Sequence, residues 1–333
     1  AGEGDSLRSE KEAKDSIRAS YIEGFQDYFF IYPVLKRRSL SFELTKPKRG
    51  PALTYEPNNS YSLGVGLYMF ELGAELAFAI PLREQSIERY GESKAQDIQL
   101  NILAKRWGLD AFLQRYTGFY IVDSEHQPAD NEPFPQRPDI DTRNFGLTGH
   151  YVFKGLKYSL RSAYNFAERQ LHSTGSFIML GSLSTFRVAA DSSVVNGNRR
   201  ADFGSGVDFT RLRYTTFSIA PGYTINLTYQ HFFLNTMLAF GPAHHWINYD
   251  LDGKPLTNYD IEINTFFGAR VAIGYNGDRL FGGLSYVSQG STLKFDTVGF
   301  SSNNSVFKIL VGYRFREFGV LRKRVWDILP FDI

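Results

Sequence analysis

The chain contains no cysteine. That single absence removes disulfides, thiol nucleophiles and thiolate metal ligands together, and with no cysteine to carry a lipid, any hold on a membrane is expected to come from the fold. Long apolar stretches are missing too. Nowhere in 333 residues is there a run of about 18 apolar side chains, which excludes a transmembrane helix but not a barrel, because only alternate residues of a barrel strand meet lipid. An excess of one charge is also lacking: 37 Lys and Arg stand against 35 Asp and Glu. The basic residues are scattered instead of interleaved with stacking aromatics, which argues against a nucleic-acid groove. Tryptophan and methionine are scarce, at 3 each, whereas Phe reaches 29, Tyr 20 and Gly 30, a composition suited to many strands with close backbone packing.

Alternation carries the main signal. From Tyr61 to Ile80, one face takes Tyr61, Leu63, Val65 and Leu67 and then Leu72, Ala74, Leu76, Phe78 and Ile80. The other face takes Ser62, Gly64, Gly66, Glu75, Ala77 and Ala79. Two strands that are oily on one side, joined by a short link, form a half-buried antiparallel hairpin. Similar units precede it at Tyr28 to Leu35 and Ser39 to Thr45, read as one irregular strand through Pro33 in preference to two, and follow it at Asp97 to Arg106, Leu109 to Val122, Asn144 to Phe153, Leu156 to Phe166, Ser176 to Ala189, Tyr214 to Ile225, His231 to Tyr249, Ile263 to Tyr275, Leu280 to Ser288 and Ser305 to Phe315.

Connections alternate in length. Short ones fall at Phe70, Trp107, Lys154-Gly155, Asn226 to Tyr229 and Asn276-Gly277-Asp278, and long polar ones at Leu82 to Gln96, Asp123 to Arg143, Asp250 to Asp260 and Gln289 to Asn304. Outer-membrane barrels pair short periplasmic turns with long external loops, and soluble sandwiches have no reason to do so. The expected fold is therefore an all-β, transmembrane, antiparallel up-and-down β-barrel of about fourteen strands, with twelve as the fallback. The polar segment Ala190 to Arg213 either hides a strand or folds back through the lumen as a plug. Charges placed mid-strand on the non-oily face, Glu75, Arg161, Arg270, Lys308 and Arg314, are the candidate lumen-facing residues. Tyr68, Phe70, Tyr116, Phe119, Tyr120, Tyr151 and Phe153, near strand ends, are expected at headgroup level.

The domain reading is residues 1–26 as a periplasmic lead-in with helical charge spacing, 27–318 as the barrel, and 319–333 as a periplasmic tail. Ala1 at the start fits an exported protein whose signal has been removed, although a trimmed chain would begin the same way. The expected location is the bacterial outer membrane.

Chemistry is hard to find. His244 and His245 are adjacent, so a strand would point them to opposite faces, and the other histidines show no ligand spacing; neither a metal nor a cofactor is expected. A lipid hydrolase would need a serine beside a histidine, for which His150 with Ser159 or Ser162 can be named, but no Gly-x-Ser-x-Gly elbow accompanies them. The expectation is no enzyme. Partner contact is expected from the proline-rich loop holding Asp130, Glu132 and Phe134, and from the basic, then apolar, tail with Arg322, Lys323, Arg324 and Trp326.

The segments Tyr55-Glu56-Pro57-Asn58, Tyr61 to Gly66, Asp97-Ile98-Gln99-Leu100 and Gln114-Arg115-Tyr116-Thr117-Gly118-Phe119-Tyr120 resemble a family of Bacteroidetes outer-membrane proteins classed as a domain of unknown function. Glu168-Arg169-Gln170, Ser173 to Phe177 and Ala190-Asp191-Ser192-Ser193 resemble it as well, so the resemblance spans roughly Asp27 to Phe318. It implies an outer-membrane barrel and supplies no activity, so no catalytic residue is carried over. It admits a role as a subunit of a larger outer-membrane assembly or secretion machine. The functional expectation is a non-catalytic accessory or structural barrel in such a complex, with a narrow small-solute pore as the alternative and a lipid-acting enzyme as the third reading. The partners expected are outer-membrane lipid, lipopolysaccharide and other outer-membrane or periplasmic proteins, with no nucleic acid.

Overall fold

The computed structural model describes residues 2–46, 50–69, 72–195, 197–203, 208–251, 258–295 and 298–318. After a helix α1 (Gly2–Tyr21) and a short strand β1 (Ile22–Gly24), β2 (Tyr28–Thr45) opens the main sheet. It continues through β3 (Ala52–Glu56), β4 (Ser62–Met69), β5 (Leu72–Ala79), α2 (Glu84–Tyr90), β6 (Lys94–Leu103), β7 (Trp107–Asp123) and β8 (Gln136–Val152). Next come α3 (Arg161–Tyr164), β9 (Glu168–Gln170), β10 (Thr174–Ala189), α4 (Gly197–Phe203), β11 (Phe209–Tyr229), β12 (Phe232–Leu251), β13 (Asn258–Asn276), β14 (Leu280–Phe295) and β15 (Val298–Arg316).

Every pairing is antiparallel, and β15 returns to β2 along most of its length, from Gly299 opposite Thr45 to Arg316 opposite Tyr28. The closed ring runs β2-β3-β7-β8-β10-β11-β12-β13-β14-β15, ten strands, with β4, β5 and β6 as additional strands. An even ring brings the start of β2 and the end of β15 to one end, here called lower. The expected count of about fourteen is corrected. Two segments account for part of the difference, and the rest arises because β4, β5 and β6 lie outside the ring while β3, which alternation did not reveal, lies in it. Leu156 to Phe166, read as a strand, is instead a turn followed by α3 inside the ring, with Tyr158, Leu160, Ala163 and Phe166 buried. Its period-two pattern arose because a short segment enclosed on several sides buries residues in any phase. Among its described residues, Ala190 to Arg213 adds no separate strand: it holds Val194, Val195 and Phe203 in the core, includes α4, and ends in the start of β11.

Strands are also longer than the alternation suggested, at the expense of loops. β8 begins at Gln136, so Asp139 and Asp141 lie on a strand, and β14 and β15 rise through the stretch expected as a loop at Gln289 to Asn304. Once apolar alternation fades, cross-strand backbone bonds still extend the ladder.

The outer surface is apolar around the ring: Phe78, Ile98, Phe145, Phe177, Leu238, Ile263 and Val311 are all exposed. The interior is packed. One cluster, around Phe42, Tyr55, Phe186, Val194, Phe209 and Phe300, fills the upper end. Another, around Phe25, Phe30, Tyr68, Phe166 and Phe281, fills the lower end. Tyr68, Tyr116 and Phe119, expected at headgroup level, belong to this interior, whereas Tyr151 and Phe153 are exposed on the outside.

Candidate functional site: a sealed interior and a fork in the wall

Two inward segments seal the ring. The lower one, residues 153–170, is held by polar side chains of the wall. Asn226 donates to the Ser162 hydroxyl (2.8 Å), Asn235 to the Tyr158 hydroxyl (2.7 Å), and Asn276 to the carbonyls of Ser162 and Glu168 (2.9 Å each). Arg314 is fully buried and donates to the carbonyls of Gly277 (2.5 Å) and Phe166 (2.7 Å) and to Asn276 Oδ1 (2.6 Å), with Phe25, Phe30 and Phe281 packed around its guanidinium. Among the described residues no carboxylate reaches ion-pair distance of it, so its hydrogen bonds and the aromatic faces compensate the buried charge. Arg18, at the end of α1, forks onto both oxygens of Glu168 at 2.8 Å, and β9 pairs with β1, so the N-terminal arm is clasped to this seal. Arg161 sits on α3, not on a strand; it contacts Glu168 (3.4 Å) and donates to the Tyr68 hydroxyl (2.8 Å). The upper seal is mainly apolar, with Arg137 donating to the carbonyls of Ser193 (2.9 Å) and Val194 (2.8 Å) and paired with Asp139.

Between the seals, charges close on one another. Glu75 accepts from Tyr32 (3.0 Å), Lys36 (2.5 Å) and Lys308 (2.6 Å), and Arg270 pairs with Asp110. Thus Glu75 and Lys308 meet, while Arg270 and Arg314 lie in separate networks. A cavity of about 40 Å³, lined by polar groups such as Asn144, Ser182, Thr216, Gln289 and Ser302, lies among them. A space of that size takes no more than a few waters, each needing roughly 10–15 Å³.

The wall is regular from β8 round to β15, apart from one register shift between Phe209 and Arg211 at the start of β11, and forks between β2 and β7. In the upper half β3 alone bridges them, pairing Phe42 with Tyr55 on one side and Tyr55 with Ile121 on the other. Below, β4 pairs with β2, β5 with β4, and β6 with β7. β5 and β6 do not pair, so each presents a free edge among the described residues. Their outward side chains, Leu76, Phe78, Ile98 and Leu100, belong to the apolar outer surface.

Sequence chemistry explains the fork. Pro57 cannot donate to a ladder, so the strand that begins as β3 breaks there and resumes as β4. Asn58 fills the gap: its side chain donates to the carbonyls of Ser86 (3.1 Å) and Gly91 (2.8 Å), and its backbone N–H donates to Ser93 Oγ (2.7 Å). Ser93 in turn donates to the Gly118 carbonyl (2.8 Å). Gly118 has φ of +85° at a register shift in β7, and a Cβ there would lie 2.3 Å from the Glu92 carbonyl oxygen, so only glycine fits. Just below, Arg38 of β2 donates to both the backbone oxygen and the carboxylate of Asp97 on β6 (3.0 Å each), spanning the top of the slot. Asp97 also accepts from Gln114 (2.9 Å) and Tyr116 (3.0 Å). None of Asn58, Asp97, Gln114 or Gly118 stood out as a site in the sequence, although all lie in the motifs quoted for the resemblance.

The other sequence candidates are dispersed. Asp130 and Glu132 are exposed in the loop after β7, while Phe134 stacks on Tyr90 (5.3 Å between centroids) and meets Tyr120 edge to face, tying that loop to α2. Arg322, Lys323, Arg324 and Trp326 lie outside the described residues, as does Phe70. His245 is buried against Thr216 (2.8 Å) while His244 lies against Trp246, on opposite faces of β12. Ser159 donates to Glu168 and Ser162 to the Ser159 carbonyl (2.7 Å), and neither ring nitrogen of His150 has a hydrogen-bond partner among the described residues. No Ser–His pair is assembled there.

Among solved structures, the chain is similar to Ail, the attachment invasion locus protein of Yersinia pestis, at 10% identity and a TM-score of 0.25 over 88% of this chain and 99% of that one. It is also similar to the translocator domain of the autotransporter NalP from Neisseria meningitidis, at 8% identity and a TM-score of 0.33 over 94% and 96%. A third is the P. putida toluene transporter TodX, at 9% identity and a TM-score of 0.28 over 88% and 91%. No curated protein matches the chain. The closed barrel therefore rests on this chain's own strand pairing, and its membership on a family model matched over residues 13–315: the chain belongs to the family described as Domain of unknown function (DUF4421).

Proposed function

We propose that this protein is an exported outer-membrane barrel that works as a non-catalytic accessory or structural subunit of a larger membrane complex. The observation that carries the reading is the pair of free strand edges, β5 and β6, set in the apolar outer surface. In hydrocarbon each unsatisfied backbone group costs several kcal/mol, so an open edge there calls for a partner. β5 runs upward and β6 downward, so an even number of added strands between them keeps the wall antiparallel. A β-hairpin of a neighbouring membrane protein meets that requirement and a single strand does not. The pore reading has less behind it, because both ends are packed and the charges between them, Glu75 with Lys36 and Lys308 and Asp110 with Arg270, are paired.

Purification from native membranes in mild detergent tests this. A membrane protein is expected in fixed stoichiometry, cross-linking to a photoreactive residue placed at Phe78 or Ile98 and not to one at Leu238 on the regular wall. A lone barrel that carries steady current across a planar bilayer would overturn the proposal in favour of the pore.

A further inference from the structure

Strand register assembles a feature that is scattered in the sequence. Arg115 stands opposite Arg143, Arg143 opposite Arg187, and Arg187 opposite Arg213, so four arginines form one cross-strand row over β7, β8, β10 and β11. All four are exposed on the outer face. Adjacent strands lie about 4.8 Å apart, so the row spans roughly 14 Å. Like charges directly opposite one another destabilise a sheet. Among the described residues only Asp141 relieves them, bonding Arg115 (2.8 Å) and Arg143 (3.3 Å). Among the described residues Arg187 and Arg213 have no carboxylate within ion-pair distance.

The Arg187–Arg213 end of the row also has a defined height. On the same face, towards the lower end, the outward side chains become apolar: Leu113, Phe145, Leu183 and Phe217. At the lower end of β10 and β11 the opposed pair Phe177 and Tyr223 meets edge to face at 5.3 Å. Arg187 lies ten residues beyond Phe177, and Arg213 ten before Tyr223. Ten strand residues rise about 33 Å, or roughly 24 Å at a tilt near 45°, which is the height of a barrel's apolar band. Arg187 and Arg213 therefore mark the upper edge of that band and the aromatic pair its lower edge.

We propose that Arg115, Arg143, Arg187 and Arg213 bind the phosphate-bearing headgroups of lipids in the leaflet around the upper end of the barrel. Guanidinium groups fork onto phosphate oxygens, and the charge of the ligand removes the repulsion within the row. Arg187 and Arg213 make the principal contacts, since Asp141 already engages the other two. The inference rests on the membrane-spanning reading but not on any protein partner.

The test uses the full chain in nanodiscs of neutral phosphatidylcholine doped with diphosphorylated lipid A, with bound lipid counted by native mass spectrometry. The double variant Arg187→Gln/Arg213→Gln is expected to retain about tenfold less lipid A, while lipid A stripped of its phosphates is retained weakly and equally by both proteins. The conservative Arg187→Lys/Arg213→Lys, which keeps charge and loses the fork, is expected to fall between. Equal retention by wild type and the glutamine variant would overturn the proposal. So would displacement of the lipid by millimolar inorganic phosphate, which would make the row a free-anion site. Unchanged or higher thermal stability of the glutamine variant shows that the barrel itself is intact; if that variant does not fold, the lysine variant against wild type decides. A chain that stays dispersed without detergent or lipid would instead refute the membrane reading.

Discussion

The two sides of this barrel solve the same problem differently. From β8 to β15 each strand bonds both neighbours over long, regular registers, and the side chains need only alternate. Between β2 and β7 the chain divides one strand's place among β3, β4, β5 and β6, and the junction depends on individual residues: Pro57 to break the strand, Asn58 and Ser93 to satisfy stranded backbone groups, Gly118 to turn β7. Where backbone bonds are continuous, side-chain identity matters on average. Where they are interrupted, it matters residue by residue, and the free edges left behind are the part of the wall available to another molecule.

Substitutions of matched type should make that contrast visible, beginning with the most damaging. Gly118→Val combines a disfavoured positive φ with a clash against the Glu92 backbone, and is expected to cost at least about 3 kcal/mol or to block folding, read by urea unfolding in lipid vesicles. Arg314→Met leaves three buried acceptors without their donor and loosens the lower seal from the wall; a loss of about 2–3 kcal/mol is expected by the same measurement, together with freer cleavage of α1 by protease. Asp97→Ala removes the acceptor that holds Arg38, Gln114 and Tyr116. It is expected to cost about 1–3 kcal/mol and to speed hydrogen exchange in β5 and β6 while leaving β11 and β12 protected. If exchange rose equally on both sides, the fork would not be a distinct unit. At the small end stands Gly181→Ala on the regular side. A Cβ there meets nothing within 4 Å, so stability is expected to stay within roughly 0.5 kcal/mol or to rise slightly.

Much of the regular side was legible in the sequence. Alternation in Ser176 to Ala189 or Leu280 to Ser288 predicts the strand and its outward face, because each residue's environment there depends on parity alone. The fork was not legible in the same way. Asp97 and Arg38 are 59 positions apart and meet only because β6 leaves β7's upper half to β3. Tyr68, Tyr116 and Phe119 look like interfacial aromatics by position, yet they lie inside because the ring encloses seals for them to pack on. Leu156 to Phe166 imitates a strand for the same reason.

What the amino-acid sequence determined by itself was a cysteine-free, antiparallel sheet with one apolar face, since period-two patterning is a property of the chain read locally. Tertiary structure alone decided the ten-strand closure, the two inward seals, the free edges of β5 and β6, and the alignment of four arginines in one cross-strand row. Each of these is set by register between strands distant in sequence. A shift of one residue in any pairing would turn that strand's side chains to the opposite face.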